Sequence, residues 1–411
     1  MSFPFAPHVS AMSPGASASP SDASAEASDD ERLARLALAR IIEPGSIAVH
    51  GALASQPATA VWERLRAGAP LGQLGQQALD GIAGRADGYD PRRDLDRLQQ
   101  VGARVLCPGD AEWPAVSLAW DPLVMEGDVK QMAPPWVLFV RGPADLADLC
   151  SRSVAVVGAR AATAYGTHVA SQLCFGLSEA GVTVVSGGAY GIDAAAHRAA
   201  LDAQAAPTVA VLASGVDVAY PRAHERLLAQ VAEQGLLVSE VPPGSSPTRV
   251  RFLVRNRIIA ALSGATVVVE AALRSGSLST AGRAINLGKP VLAVPGPVTS
   301  AQSAGCHELI RSGKAVLATQ LSEVLELTGA IGEHLPESMR GPVHPRDKLP
   351  EIVRRVLDAV PVRVPVGVAR IARTAGVSAL VVQQVLPPLL VAGLVEQRDG
   401  GWRLTTLGAG R

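Results

Sequence analysis

The chain offers little for covalent or metal chemistry. Its four cysteines, Cys107, Cys150, Cys174 and Cys306, are scattered through 411 residues. No CxxC pair and no Cys/His spacing suggests zinc, and nothing suggests a disulfide framework, so a reducing, cytoplasmic setting is expected. Net charge is also missing, since 37 Lys+Arg balance 37 Asp+Glu. That balance argues against a surface coated in nucleic acid but leaves room for a local basic groove. No apolar run reaches the roughly 18 residues a membrane span needs. The N-terminus lacks a charged segment followed by an apolar one, so no signal peptide is expected. No G-x-G-x-x-G and no G-x-x-x-x-G-K-[ST] occurs, which excludes the usual dinucleotide and Walker-type phosphate loops. No glutamate base pairs with a histidine and no activated serine stands out, so neither catalysis, cofactor nor metal is expected.

What is present is ample apolar material, 48% of residues, enough for a sizeable core. The length suggests about three domains. Residues 1–30 are Ala, Ser and Pro with a few acids, too polar to order themselves, and are expected to form a disordered leader. Residues 31–105 read as a helical domain. Leu33, Leu36, Leu38 and Ile41-Ile42 recur near 3.6 spacing until Glu43-Pro44-Gly45 breaks the helix, and shorter helices follow around Val61–Leu65 and Leu71–Leu79. Asp110 to Gly142, with Trp113-Pro114 and Pro134-Pro135, reads as an irregular connector. Residues 329–347 form a linker. Residues 348–411 read as three helices, the third capped by Ser378, and a hairpin with Asp399-Gly400-Gly401 at its tip, the plan of a winged helix. Its third helix is poor in Lys and Arg, which leaves a protein-contact role open beside duplex DNA.

The middle region, 106–328, carries apolar β-branched runs at Val154–Val157, Val182–Val185, Thr208–Leu212, Leu236–Val238, Thr266–Val269, Val291–Val294 and Ala315–Leu317. Helical patterns separate several of them. Near-continuous apolar strands alternating with helices predict a doubly wound, mostly parallel, Rossmann-like sheet covered on both faces. Ligands of such folds bind at the carboxyl ends of the strands. Those ends hold the polar and glycine signals: Gly158-Ala159-Arg160, Ser186-Gly187-Gly188-Ala189-Tyr190-Gly191, Tyr220-Pro221-Arg222 and Arg274-Ser275-Gly276-Ser277. Glycines there let backbone N–H groups approach a ligand, and helix N-termini favour anions. Asp193 and His197 lie four apart, and Asp193 is expected to cap the helix beginning near Ala194.

The densest charge lies at Arg249 to Arg257, where Arg249, Arg251, Arg255 and Arg257 surround Phe252 and Asn256. No acid falls between Val241 and Ala265, so the guanidinium groups have no local neutraliser and are expected to bind an anion, phosphate by geometry.

The segments Ser186–His197, Arg255-Asn256-Arg257-Ile258-Ile259-Ala260, Val268-Val269-Glu270-Ala271 and Val294-Pro295-Gly296 together resemble the DNA-processing protein A family (DprA, also called Smf), with further matches in family order from about Asp110 to Ala318. The helical N-terminal region resembles that family's sterile-alpha-motif-like domain and the C-terminal piece its winged helix. The resemblance implies a non-enzymatic single-stranded DNA-binding protein that protects incoming DNA and helps load RecA recombinase in natural transformation, as a homodimer through the Rossmann-like domain. It places the DNA pocket at Arg160, Arg249, Phe252, Arg255 and Arg257. With the strand-end signals, the expected nucleic-acid-binding set is Arg160, Gly187, Gly188, Tyr190, Arg222, Arg249, Arg251, Phe252, Arg255, Asn256, Arg257, Ser275, Gly276 and Ser277. Three positions depart from the family pattern: Tyr190 where Arg is common, Leu253 for Pro and His307 for Asn. Apolar Leu309-Ile310 is expected to serve the dimer. Two other readings stay open at this level: a nucleotide-binding enzyme of the phosphoribohydrolase type, whose P-G-G-x-G-T-x-x-E loop is replaced here by S-G-S-L-S-T-A-G, and a purely structural hub.

Overall fold

A computed structural model describes residues 26–122, 133–328 and 348–408. The expected linker and most of the expected leader lie outside these residues. Asp29 and Asp30, assigned to the leader, instead open the first helix, where the Ser28 side chain accepts from the Glu31 N–H. Three acids in that first turn complement the helix dipole. The chain divides into two compact units.

In the first unit, five helices come first: α1 (Asp29–Ile41), α2 (Ile47–Leu53), α3 (Ala58–Arg66), α4 (Gln76–Ala86) and α5 (Arg92–Gln100). Strand β1 (Ala103–Leu106), α6 (Ala115–Leu118), β2 (Leu138–Arg141) and α7 (Leu146–Ser151) follow. The alternating part is β3 (Ser153–Val157), α8 (Ala164–Glu179), β4 (Thr183–Ser186), α9 (Ile192–Ala203), β5 (Thr208–Leu212), α10 (Glu225–Gln234), β6 (Leu236–Ser239), α11 (Arg249–Ala261), β7 (Ala265–Val268), α12 (Gly276–Asn286), β8 (Val291–Ala293), α13 (Ala304–Arg311), β9 (Val316–Leu317) and α14 (Leu321–Glu326). The strands form one sheet in the order β1-β2-β6-β5-β4-β3-β7-β8-β9. Pairing from β6 to β9 is parallel, and β1 and β2 are antiparallel additions at one side.

All seven strands read from the apolar runs are present. Two were not expected. Leu138–Arg141 lies in the stretch read as a connector, yet it is a strand whose first three residues are buried, paired with β6. The helical region also does not stand apart: Leu36, Leu38, Leu65 and Leu98 share one apolar cluster with Phe139, Ala210, Leu212 and Leu237 of the sheet. The expected boundary at residue 105 therefore falls inside β1.

Period-two alternation explains why the strands are apolar throughout. In β3, Val154 and Val156 face the cluster with α8 and α9, while Ala155 and Val157 face the cluster with α11 and α12. Leu309 is 8% exposed within that second cluster, so it is core and not a free patch for a partner. The order reverses between β3 and β7: β4 lies on one side of β3 and β7 on the other. A crevice opens at such a reversal, outside the carboxyl ends of the two strands.

The second unit comprises α15 (Glu351–Asp358), α16 (Val368–Ala375), α17 (Ala379–Val391) and the antiparallel hairpin β10 (Val395–Arg398) and β11 (Gly401–Leu404). The Ser378 side chain accepts from the Val381 N–H as expected of a cap. Gly376 takes a positive φ of 63° between α16 and α17, which permits their tight turn. Among the described residues, no single helix is long and apolar enough to cross a membrane.

Candidate nucleic-acid interface

The reversal between β3 and β7 holds a cavity of about 740 Å³. Its walls are the turn after β3 (Gly158 to Ala161), the start of α11 and the turn from Ala272 into α12. Four arginines line it, Arg160, Arg249, Arg255 and Arg274, against a single carboxylate, Asp193. Two helix N-termini also face it. Thr248 caps α11 through the Arg251 N–H, and Ser275 caps α12 through the Ser277 N–H. Positive helix ends and guanidinium groups together make the cavity a binding place for anions.

Helix geometry decides which residues of the arginine-rich stretch reach the cavity. The whole stretch is α11, so side chains at i, i+3, i+4 and i+7 share a face. Counting from Arg249, those positions are Phe252, Leu253 and Asn256, and all four line the cavity. Arg249 is exposed at the helix start. Asn256 donates to the Gly276 carbonyl at 3.3 Å and ties α11 to the α12 turn.

The other arginines of the stretch are already neutralised, contrary to expectation. Arg251 grips Glu43 with two hydrogen bonds, 2.9 Å from Nε and 2.8 Å from Nη2, and donates to the Ser246 carbonyl. Arg257 is wholly buried and forks onto Glu240 at 2.8 and 2.9 Å, with Nε on the Ala133 carbonyl at 2.9 Å. Neither lines the cavity. Glu240 sits one residue outside the acid-free window, and Glu43 is 208 residues away in sequence, so local charge counting misses both. Arg255 is intermediate: it lines the cavity but is 8% exposed, and its Nη1 donates to the Gly187 and Val211 carbonyls. Burial brings its pKa down to about 10, with Asp193 opposing the fall.

The glycines after β4 have structural reasons of their own. A Cβ on Gly187 would collide with the Arg255 guanidinium. Its N–H donates to Asp193 Oδ2 at 3.2 Å and is not free for a ligand. Gly188 is buried at φ +66°, with its carbonyl accepting from His224 Nδ1 at 3.0 Å. Asp193 does not cap its own helix, whose N-cap is Gly191. It reaches back instead to the Gly187 and Ala189 N–H groups. Burial raises its pKa, opposed first by Arg255. His197 points elsewhere. The Thr208 hydroxyl donates to the Val184 carbonyl, so His197 Nδ1 donates to that hydroxyl at 2.9 Å. Burial pushes its pKa down to about 3, which keeps it neutral.

Phe252 is half-buried at the cavity rim and belongs to none of the apolar clusters. The Arg160 guanidinium carbon lies 4.9 Å from its ring centroid, and the Tyr220 ring stands 5.5 Å away, tilted by 53°. Ser275 Oγ lies 2.7 Å from Ser277 Oγ, and an added Cβ at Gly276 would meet open space. Arg222 is exposed in a short 3₁₀ turn, Arg222–His224, and lines neither this cavity nor the smaller one beside it. Tyr190, with Gly187, lines the smaller one. Tyr220 and Arg274 were not in the expected set, although both sit inside strand-end segments already singled out. Their adjacency to Pro221 and Ser275 was the available signal.

A protein-family model described as DNA recombination-mediator protein A matches residues 104–329. This chain belongs to that family. A Mycobacterium tuberculosis protein named for DNA processing (DprA) is 48% identical over 83% of this chain and 87% of its own length. The solved DNA processing protein A of Streptococcus pneumoniae superposes with a TM-score of 0.56 at 30% identity, covering 73% of this chain and 98% of that one. The solved Helicobacter pylori DNA processing protein A, described for its single-stranded DNA binding mode, gives a TM-score of 0.47 at 27% identity over 55% of this chain and 94% of that one. Family membership agrees with the mostly parallel sheet, and the matched span contains every cavity-lining residue.

Proposed function

We propose that this family member binds single-stranded DNA in the cavity between β3 and β7 and acts there as a recombination mediator without catalysing a reaction itself. The observation that supports it is the pairing of exposed guanidinium groups with an exposed and a half-buried aromatic ring around one opening. Arg160, Arg249 and Arg274 offer phosphate contacts, while Phe252 and Tyr220 offer stacking faces. Single strands are held by that combination, a positive groove for the backbone and aromatic platforms for unpaired bases. Zero net charge confines the attraction to the groove.

The test is a salt titration of labelled oligo-dT binding to the full chain. Each phosphate contact on a single strand contributes roughly 0.7 to the slope of log affinity against log salt. Arg249→Ala is expected to weaken binding and to lower that slope by roughly 0.7. No measurable binding by the parent chain at low salt would overturn the proposal.

The mediator part rests on the family's description, and the resemblance makes a RecA-type recombinase the partner to test. The expected result is a shortened lag in recombinase ATPase activity on DNA coated with single-strand-binding protein. An unchanged lag would remove that part and leave DNA binding intact. Homodimer formation through this unit belongs to the same reading, with the family resemblance as its support.

A further inference from the structure

A second, smaller cavity adjoins the first. It is lined by Tyr190, Tyr220, Phe252, Arg160, Ala189 and Gly187 among others, and has a volume of about 60 Å³. Arg160, Ala189, Tyr220 and Phe252 line both openings. Tyr190 is 47% exposed, at the position where the family resemblance leads one to expect a cation. It is not a loose surface ring. It packs edge to face with the His224 ring, with centroids 4.7 Å apart and planes at 67°. His224 is itself buried and anchored on the Gly188 carbonyl. The ring is thus held by a buried neighbour while nearly half of the residue faces solvent, which leaves it free to stack on a base. A 60 Å³ recess is too small to enclose a base, so a base would lie across the rings and not inside the recess.

We propose that Tyr190 is a second base platform, so that two adjacent nucleotides of one strand lie on Phe252 and Tyr190 with the phosphate between them on Arg160. This deepens the single-stranded DNA reading and rests on it. The position of Arg160 carries the geometry. It is the exposed cation that borders both openings, and in the free protein its guanidinium covers the Phe252 ring. A base settling on that ring displaces the guanidinium, which then meets the phosphate on its way to the second platform. A tyrosine here adds a salt-independent contact, whereas a cation would add a salt-dependent one.

The experiment uses the full chain and oligo-dT carrying a single 2-aminopurine, moved one position at a time. Two neighbouring positions are expected to be quenched on binding. In Tyr190→Ala one of them stays bright, and affinity falls about 5- to 140-fold at every salt concentration with the salt slope kept. Tyr190→Phe is expected to behave as the parent, because the ring stacks and the hydroxyl does not. Parent-like affinity and quenching in Tyr190→Ala, beside weakened binding in Phe252→Ala, would overturn the second platform and keep the first. Parent-like binding in both variants would overturn the cavity as the DNA site. Should Tyr190→Ala melt well below the parent, Tyr190→Leu decides. It keeps apolar contact with His224, so recovered stability without recovered quenching supports stacking, and recovery of both overturns it.

Discussion

Arg257→Ala is expected to cost the fold about 3–5 kcal/mol and to lower the melting temperature by roughly 10 °C, with no DNA present. The guanidinium is fully buried and is the bidentate partner of Glu240, which is 6% exposed. Alanine leaves that carboxylate in a low-dielectric interior without its counter-ion and strips the Ala133 carbonyl of its donor. The loss comes from the abandoned charge more than from the pair itself, so Arg257→Met with Glu240→Leu is expected to regain most of the stability. Well below the melting transition, Arg257→Ala should bind oligo-dT with the parent's salt slope. An unchanged melting temperature, or a slope flattened by roughly 0.7, would return Arg257 to the phosphate-binding set.

Phe252→Ala is expected to do the reverse: to weaken single-strand binding about 5- to 140-fold at every salt concentration while barely changing the melting temperature. The ring lies outside the apolar clusters, between Arg160 and Tyr220, so its removal opens no core cavity. What is lost from the free protein is three ring contacts, with Arg160, Arg255 and Tyr220, each worth roughly 0.5–1 kcal/mol or a little more. Calorimetry beside anisotropy at two salt concentrations checks both halves. A melting temperature that falls as far as that of Arg257→Ala would make Phe252 part of the scaffold, and the binding loss would then follow from unfolding.

The sequence by itself determined the architecture of the central sheet. Parallel strands buried on both faces are apolar at nearly every position, so β3 to β8 stand out as continuous runs; β9 is apolar too, although exposed at the end of the sheet. It also pointed to the crevice proposed as the DNA site, since the polar and glycine residues collect at the carboxyl ends of those runs. Strands β1 and β2 escaped because their partners are not local. Leu138–Arg141 pairs with β6 nearly a hundred residues later, and the Pro- and Trp-rich sequence before it carries no regular period.

Only the tertiary structure decided which arginines are available. Charge counting along the chain treats Arg249, Arg251, Arg255 and Arg257 alike, since no acid lies among them. Folding sorts them by direction. Successive helical residues turn by about 100°, which sets Arg251 nearly opposite Arg249, but Arg257 lies closer to Arg249 around the helix than Arg255 does, and it is Arg255 that lines the cavity. Glu43 and Glu240 are waiting where Arg251 and Arg257 point. The helical period could have set Arg251 apart in advance, but not Arg257 from Arg255. The identity of the neutralising acids could not have been read, because one comes from the loop after α1 and the other from the end of β6. Tyr190 shows the same division. Its departure from the family's usual cation is plain in the chain, but the His224 ring that supports it, 34 positions on, becomes its neighbour only in the fold.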